Sequence, residues 1–188
     1  MSKELIKEKL NKFGFEKEPF LFVLSYDLSE FYIEKLSLLP SSIKFELNSK
    51  EHQKNKIVKK SILNKFPISF EEYKNKFDKL QEEIKKGNSY LLNLTAKTKI
   101  ETLHSLDDIY ENVEAKFKLK FKNDKNDFVC FSPERFVENK KNKIFTYPMK
   151  GTIDANIPNA QARILGDIKE MAEHTMVVDL LRNDLGIV

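Results

Sequence analysis

The run SFEEYKNKFDKLQEEIKKG, residues 69–87, carries the most complete local signal in the chain. Ser69 followed three residues on by Glu72 is a capping box, and Ile68 stands where it can staple onto Tyr73. Phe70, Tyr73, Phe77, Leu80 and Ile84 then recur at 3-4-3-4 spacing and build one apolar face. Gly87 supplies the left-handed stop. An amphipathic helix is expected, with a strand directly after it over 90–99. Further on, Ser105 and Asp108 open a second helix carrying Leu106, Ile109, Val113 and Phe117. Strands are expected over 128–138 and 143–149, separated by the polar turn Asn139-Lys140-Lys141-Asn142, and then one helix from near Asn159 to about Leu185. Toward the N-terminus, residues 51–60 read as a polar connection and 43–47 alternate as a half-buried strand. Residues 20–24 form an apolar run of strand length, and 3–12 a short helix with Leu5, Ile6 and Leu10 on one side. The expected class is α+β with antiparallel pairs. Residues 1–60 form a β-rich opening part, and 61–188 hold the helices and the remaining strands.

Composition sets the outer limits. The chain has 188 residues, 40% apolar and 33% charged, which suits one globular domain or little more. At this length about 65–70% of the unfolded surface can be buried. No apolar run approaches the roughly 18–20 residues of a membrane span, and Met1-Ser2-Lys3-Glu4 opens no signal-peptide core. Cys130 alone excludes an internal disulfide and any multi-cysteine metal site. A cytoplasmic chain without membrane contact is therefore expected. The net charge of +4 invites a nucleic-acid reading. Against it, the basic residues are lysines except for Arg135, Arg163 and Arg182, and they are dispersed among acids. Phosphate and base recognition favours arginine forks, so no nucleic-acid partner is expected.

Two clusters bear on chemistry. In Tyr147-Pro148-Met149-Lys150-Gly151-Thr152, a lysine leaves a strand just before Gly-Thr, where partial desolvation would lower its pKa and make it a nucleophile or base. The ordinary alternative is a surface lysine at a turn. In Glu170-Met171-Ala172-Glu173-His174, helical spacing puts Glu170, Glu173 and His174 on one face. Paired carboxylates of that kind suit Mg²⁺, and the ordinary alternative is a solvated helix face. Spacing alone leaves both pairs of readings open. Asp179, Arg182, Asn183 and Asp184 add a polar helix end whose Arg-Asp pairing reads as structural. His52 and His104 read as surface histidines and Cys130 as a small buried hydrophobe. No Gly-rich phosphate loop or nucleophile elbow occurs.

The motifs also have an order. Ser132-Pro133-Glu134-Arg135-Phe136, Pro148-Met149-Lys150-Gly151-Thr152, residues 169–176 (KEMAEHTM) and residues 179–186 (DLLRNDLG) follow one another as they do in the chorismate-utilising enzymes, which the chain resembles. Within that family it is similar to the aminodeoxychorismate synthase component I branch. Residues 87–95 look like a further family segment, and 19–48 are similar more loosely. The resemblance implies part of the family's fold, stacked antiparallel sheets flanked by helices. It also implies a reaction: chorismate and ammonia give 4-amino-4-deoxychorismate, on the route to p-aminobenzoate and folate. By motif match, Lys150 is the lysine that attacks the chorismate ring, and sister enzymes making anthranilate or isochorismate typically carry alanine there. Gly151 and Thr152 contact substrate, and Glu170 and Glu173 are two of the carboxylates that bind Mg²⁺. The implied partners are chorismate and a glutamine amidotransferase subunit, component II, that supplies the ammonia.

Three features depart from the family pattern. Family members continue through a large C-terminal part, which brings a histidine, further metal carboxylates and a Gly-rich segment, whereas this sequence ends at Val188. The expectation is thus an incomplete chorismate-binding domain over 61–188, with its C-terminal part absent. Ile153-Asp154 follow Gly-Thr where an arginine is frequent, and Leu91 stands where relatives often carry a polar residue. Two other readings stay beside the leading one: an inactive assembly module that pairs with another polypeptide, and a sister chorismate enzyme.

Overall fold

The computed structural model describes residues 2–48, 62–90 and 92–187. The connection expected over 51–60, together with His52, Leu91 and Val188, lies outside the described residues. The chain divides into two compact units, Met1–His52 with Glu114–Val188, and Gln53–Val113. The structure is α+β, and every strand pairing among the described residues is antiparallel. No described helix is long and apolar enough to cross a membrane.

The first unit opens with α1 (Ser2–Phe15), which packs on the hairpin of β1 (Phe20–Leu24) and β2 (Phe31–Lys35). Ile6 of the helix and Ile33 of β2 are both buried, and the Phe13 and Phe20 rings meet at 5.4 Å. The hairpin's turn is organised by Asp27, whose Oδ1 accepts from Ser25 Oγ at 2.7 Å, Ser29 Oγ at 2.7 Å and the Ser29 amide at 3.0 Å. Those donors favour the ionised carboxylate, and with the Ser29 and Ser25 hydroxyls acting most strongly its pKa falls to about 2.

A three-stranded sheet follows in the order β3 (Lys44–Leu47), β6 (Phe117–Lys122), β7 (Asp127–Ser132). Strand β6 was not expected from the sequence, because Phe117 continues the four-residue spacing of the preceding helix. Its residues Phe117-Lys118-Leu119-Lys120-Phe121-Lys122 nevertheless alternate perfectly, the pattern of a strand with two unlike faces. Phe121 is the most buried apolar residue of the unit, stacked on Phe128 at 5.3 Å and edge-on to Tyr32 at 5.2 Å. On the opposite face Lys118 and Lys120 are also buried. Lys118 Nζ lies 3.3 Å from Glu46 Oε1 on the neighbouring strand, which supplies the counter-charge a buried ammonium needs.

The strand expected over 128–138 ends at Ser132, because Pro133 has no amide hydrogen to continue the ladder. A separate hairpin follows, β8 (Glu138–Lys140) with β9 (Lys143–Phe145). Its turn is only Lys141-Asn142, both at positive φ (51° and 58°), the geometry that matches the twist of a tight hairpin. The strand expected over 143–149 therefore stops at Phe145. The single helix expected over 159–185 is two: α4 (Ala160–Gly166) and α5 (Ile168–Ile187). Asp167 breaks it by leaving the helical region (φ −79°, ψ 113°), and its Oδ1 accepts from the Glu170 amide at 3.0 Å as the N-cap of α5.

The second unit holds β4 (Asn64–Phe66), α2 (Phe70–Lys85), β5 (Lys99–Glu101) and α3 (Leu106–Asn112). Ser69 caps α2, accepting from the Glu72 amide at 3.1 Å, while the Glu72 carboxylate pairs with Lys76 at 2.7 Å. Gly87 at φ +79° ends the turn that follows. The strand expected over 90–99 does not form: residues 92–98 are irregular, and β5 begins only at Lys99, where β4 is there to pair with it. Ser105 and Asp108 form the reciprocal capping box of α3, and Tyr110 is its buried residue. The helix stops before Val113, whose extended backbone begins the passage to β6.

Candidate functional site

The two chemical clusters of the sequence meet in the first unit. Lys150 and Gly151 lie in the irregular segment after β9, and Glu170 and Glu173 lie in the first turns of α5. Lys150 Nζ stands 3.8 Å from Glu173 Oε1, with the two side chains 41% and 37% exposed. The desolvated lysine expected from the sequence is thus a half-exposed one that faces a carboxylate.

Gly151 makes the approach possible. Its φ of +79° is a conformation that L side chains rarely adopt. A Cβ built there would stand 3.2 Å from Ile164 Cδ1 and 3.3 Å from Glu170 Oε2. A larger residue would push the segment away from both α4 and α5. Glu170 Oε1 also lies 3.2 Å from Lys169 Nζ, and that bond and its charge hold the Lys169 ammonium above the usual lysine range. Thr152 follows in the same exposed segment.

A third motif reaches the site. Ser132 Oγ accepts from the Glu134 amide at 3.1 Å and donates to the Glu134 carbonyl at 2.9 Å, closing a tight turn after β7. From this turn Glu134 Oε1 accepts the Met149 amide at 3.1 Å. The Arg135 guanidinium pairs with Glu138, reaches Asn48 Oδ1 at 3.2 Å and lies over the rings of Phe117 (5.7 Å) and Tyr147 (5.5 Å). Tyr147 donates its hydroxyl to Glu138 Oε2 at 2.9 Å. That bond, with the Arg135 charge behind it, keeps the Glu138 carboxyl below the usual range, and it pushes the Tyr147 hydroxyl above its own. Lys116, Pro133, Glu134, Arg135, Tyr147 and Met149 line a cleft of about 290 Å³ beside this network. Sequence reasoning recognised these residues only as a motif. The bonds themselves span 15 and 9 residues and have no periodic signature.

For Mg²⁺, the chain offers the carboxylates of Glu170 and Glu173, hard oxygen donors of the right kind. No group of three or more His, Cys, Asp or Glu able to hold a metal occurs among the described residues. Two carboxylates are fewer ligands than such an ion needs, so any Mg²⁺ held here would take its remaining oxygens from elsewhere. Asp179 and Arg182 form an exposed pair at 2.6 Å further along α5, in keeping with a structural role. Cys130 is exposed rather than buried.

Comparison with known proteins follows the same lines. The profile of the chorismate binding enzymes matches residues 23–188. A protein of Pasteurella multocida named as an uncharacterised PabA-like protein is 41% identical over 192 residues, which cover 100% of this chain and 58% of that protein. A similarly named protein of Haemophilus influenzae is 40% identical, over 96% of this chain and 55% of its own length. Aminodeoxychorismate synthase component 1 of Klebsiella aerogenes is 31% identical over 63% of this chain and 28% of its own. The chain thus spans little more than half the length of the first two relatives. No solved structure matches it.

Proposed function

The chain belongs to the chorismate binding enzyme family, and from that premise we propose that it carries the lysine-bearing part of an aminodeoxychorismate synthase component I. The observation that supports this reading is the 3.8 Å approach of Lys150 to Glu173, with Gly151 packed against Glu170. In the proposed reaction the Lys150 amine adds to the chorismate ring as the 4-hydroxyl leaves as water. Ammonia then adds at the carbon the hydroxyl left, and the Lys150 amine departs. Chorismate plus ammonia thus gives 4-amino-4-deoxychorismate plus water. Glu173 faces the Lys150 amine across 3.8 Å and would orient it toward the ring. Glu170 and Glu173 would hold Mg²⁺, which supplies positive charge to a substrate carboxylate. Gly151 leaves room at the segment's closest approach to Glu170, and Thr152 offers a hydroxyl beside it. An amidotransferase subunit would supply the ammonia, and the product would serve p-aminobenzoate and folate synthesis in the cytoplasm.

The deciding experiment follows chorismate consumption by the purified chain with ammonium and Mg²⁺, products separated by chromatography. Aminodeoxychorismate that appears with the wild type and is lost in Lys150→Ala is the expected result. Turnover that survives Lys150→Ala, or anthranilate or isochorismate as product, would overturn the assignment.

A second reading is favoured by α5. No residue of that helix is buried, and Ile168 and Ile187 are 87% and 85% exposed. Apolar surface of that extent suits a module that acts only when another polypeptide covers it. Chorismate turnover that requires an added C-terminal portion of a longer relative would support it. A chain that is active alone, monomeric and inert to apolar dyes would count against it.

A further inference from the structure

The ladder of the β8–β9 hairpin ends at Phe145, five residues before Lys150. Beyond it the segment is fastened by a seam to residues 134–138, which run from the turn after β7 into β8. Thr146 Oγ1 donates to the Phe136 carbonyl at 3.2 Å, Tyr147 donates its hydroxyl to Glu138 at 2.9 Å, and the Met149 amide donates to Glu134 at 3.1 Å. Arg135 pairs with the same Glu138 oxygen that Tyr147 binds, its guanidinium lying over the Tyr147 ring. Pro148 has no amide hydrogen, so Met149 carries the last backbone donor before Lys150. That donor is taken by a carboxylate, and hydrogen bonds to charged acceptors are the stronger kind.

We infer that Glu134 and Arg135 are positioning residues: through Met149 and Tyr147 they set the direction in which Lys150 leaves its segment, and so its approach to Glu173. The inference rests on the proposed role of Lys150 for its catalytic meaning, but its geometry stands apart from that role. Glu134 takes the backbone amide of Met149, the residue just before Lys150. Removing it frees the segment between Tyr147 and Gly151 to swing, and an ångström of displacement is enough to separate a lysine from its partner.

The test uses the full chain, labelled with ¹³C at lysine Cε and with ¹⁵N in the backbone, and the Lys150 signal identified by its loss in Lys150→Arg. In the wild type, Glu173→Gln is expected to shift the Lys150 signal. In Glu134→Ala that response is lost and the Met149 amide moves upfield, whereas Glu134→Gln, which keeps an acceptor oxygen, restores both. An unchanged Lys150 response to Glu173→Gln in the Glu134→Ala background would overturn the inference, and so would an unmoved Met149 amide. Where chorismate is turned over, Glu134→Ala should lower kcat by about 10²-fold, with KM within about twofold and recovery in Glu134→Gln. A chain that consumes no chorismate, yet shows the spectroscopic coupling, sinks the proposed reaction and leaves the positioning role standing.

Discussion

Gly151 lies so close to Glu170 that a single added carbon would stand 3.3 Å from the carboxylate oxygen. Gly87 has the same φ of +79° but nothing within 4 Å of an added carbon. The two glycines therefore separate backbone strain from contact. Gly87→Ala should cost about 1–3 kcal/mol from backbone strain alone. Gly151→Ala should cost more, and should also shift the Glu170 side-chain signals in a ¹³C spectrum. Urea unfolding midpoints and those signals check the pair. Equal costs with Glu170 unmoved would mean that the close approach does not exist.

The Lys150–Glu173 pair is partly exposed on both sides and belongs to a class of contact that stabilises by about 0–1 kcal/mol. Glu173→Gln should therefore leave the unfolding midpoint nearly unchanged while removing chorismate consumption. A large fall in stability would reassign Glu173 from the site to the scaffold.

Asp27 tests the β1–β2 turn. Its pKa is lowered from about 3.9 in an unfolded chain to about 2 in the fold. Its contribution is thus fully present above the unfolded value and is lost as pH falls through about 2. A carboxyl ¹³C titration should place the Asp27 midpoint near 2, and Asp27→Ala should remove the corresponding acid dependence of stability. A midpoint close to 4 would show that the serine hydroxyls do not hold it.

The Glu138–Tyr147 bond has two pH limits. The lowered Glu138 pKa gives stability that is present above its unfolded value and lost as pH falls through the folded one. The raised Tyr147 pKa gives stability that is present below the unfolded tyrosine value and lost as pH rises through the folded one. Tyr147→Phe should remove the alkaline dependence and weaken, without abolishing, the acid one, which Arg135 also supports; near-ultraviolet circular dichroism against pH can follow both. An undiminished acid dependence in that variant would show that the tyrosine hydroxyl does not hold Glu138.

The β8–β9 turn holds Lys141 and Asn142 in the left-handed region, where a lysine side chain is strained. Lys141→Asn with Asn142→Gly should stabilise this hairpin by about 1 kcal/mol, seen as slower amide exchange across β8 and β9. Faster exchange would contradict the turn geometry.

Much of the local structure was legible in the sequence. The strands at 20–24 and 43–47, the capped helix after Ser69 and the box at Ser105 announce themselves through short-range rules of period, cap and stop. The misses share a cause. Phe117 satisfied a helical spacing from Val113, yet it also began the alternation of β6, and the competing period prevailed because β3 and β7 were available to pair with it. Gly166-Asp167 was a visible break inside the long C-terminal pattern, and the carboxylate that caps α5 makes use of it. At the site, the motif order marked Lys150, Glu170 and Glu173, while nothing in the sequence foretold that Glu134 would bind the Met149 amide.

Sequence alone therefore settled the α+β class, the hairpin around Lys141-Asn142 and the family, since caps, periods and motif order are properties of neighbouring residues, while β2 and β6, the partners of two other hairpins, went unread. Tertiary structure decided that Lys44 of β3 would pair with Lys120 of β6, that Arg135 would reach Asn48, and that Lys150 would face Glu173. Those relations join residues far apart in the chain. Each forms only where the burial and hydrogen bonds gained outweigh the entropy of closing the loop between its partners.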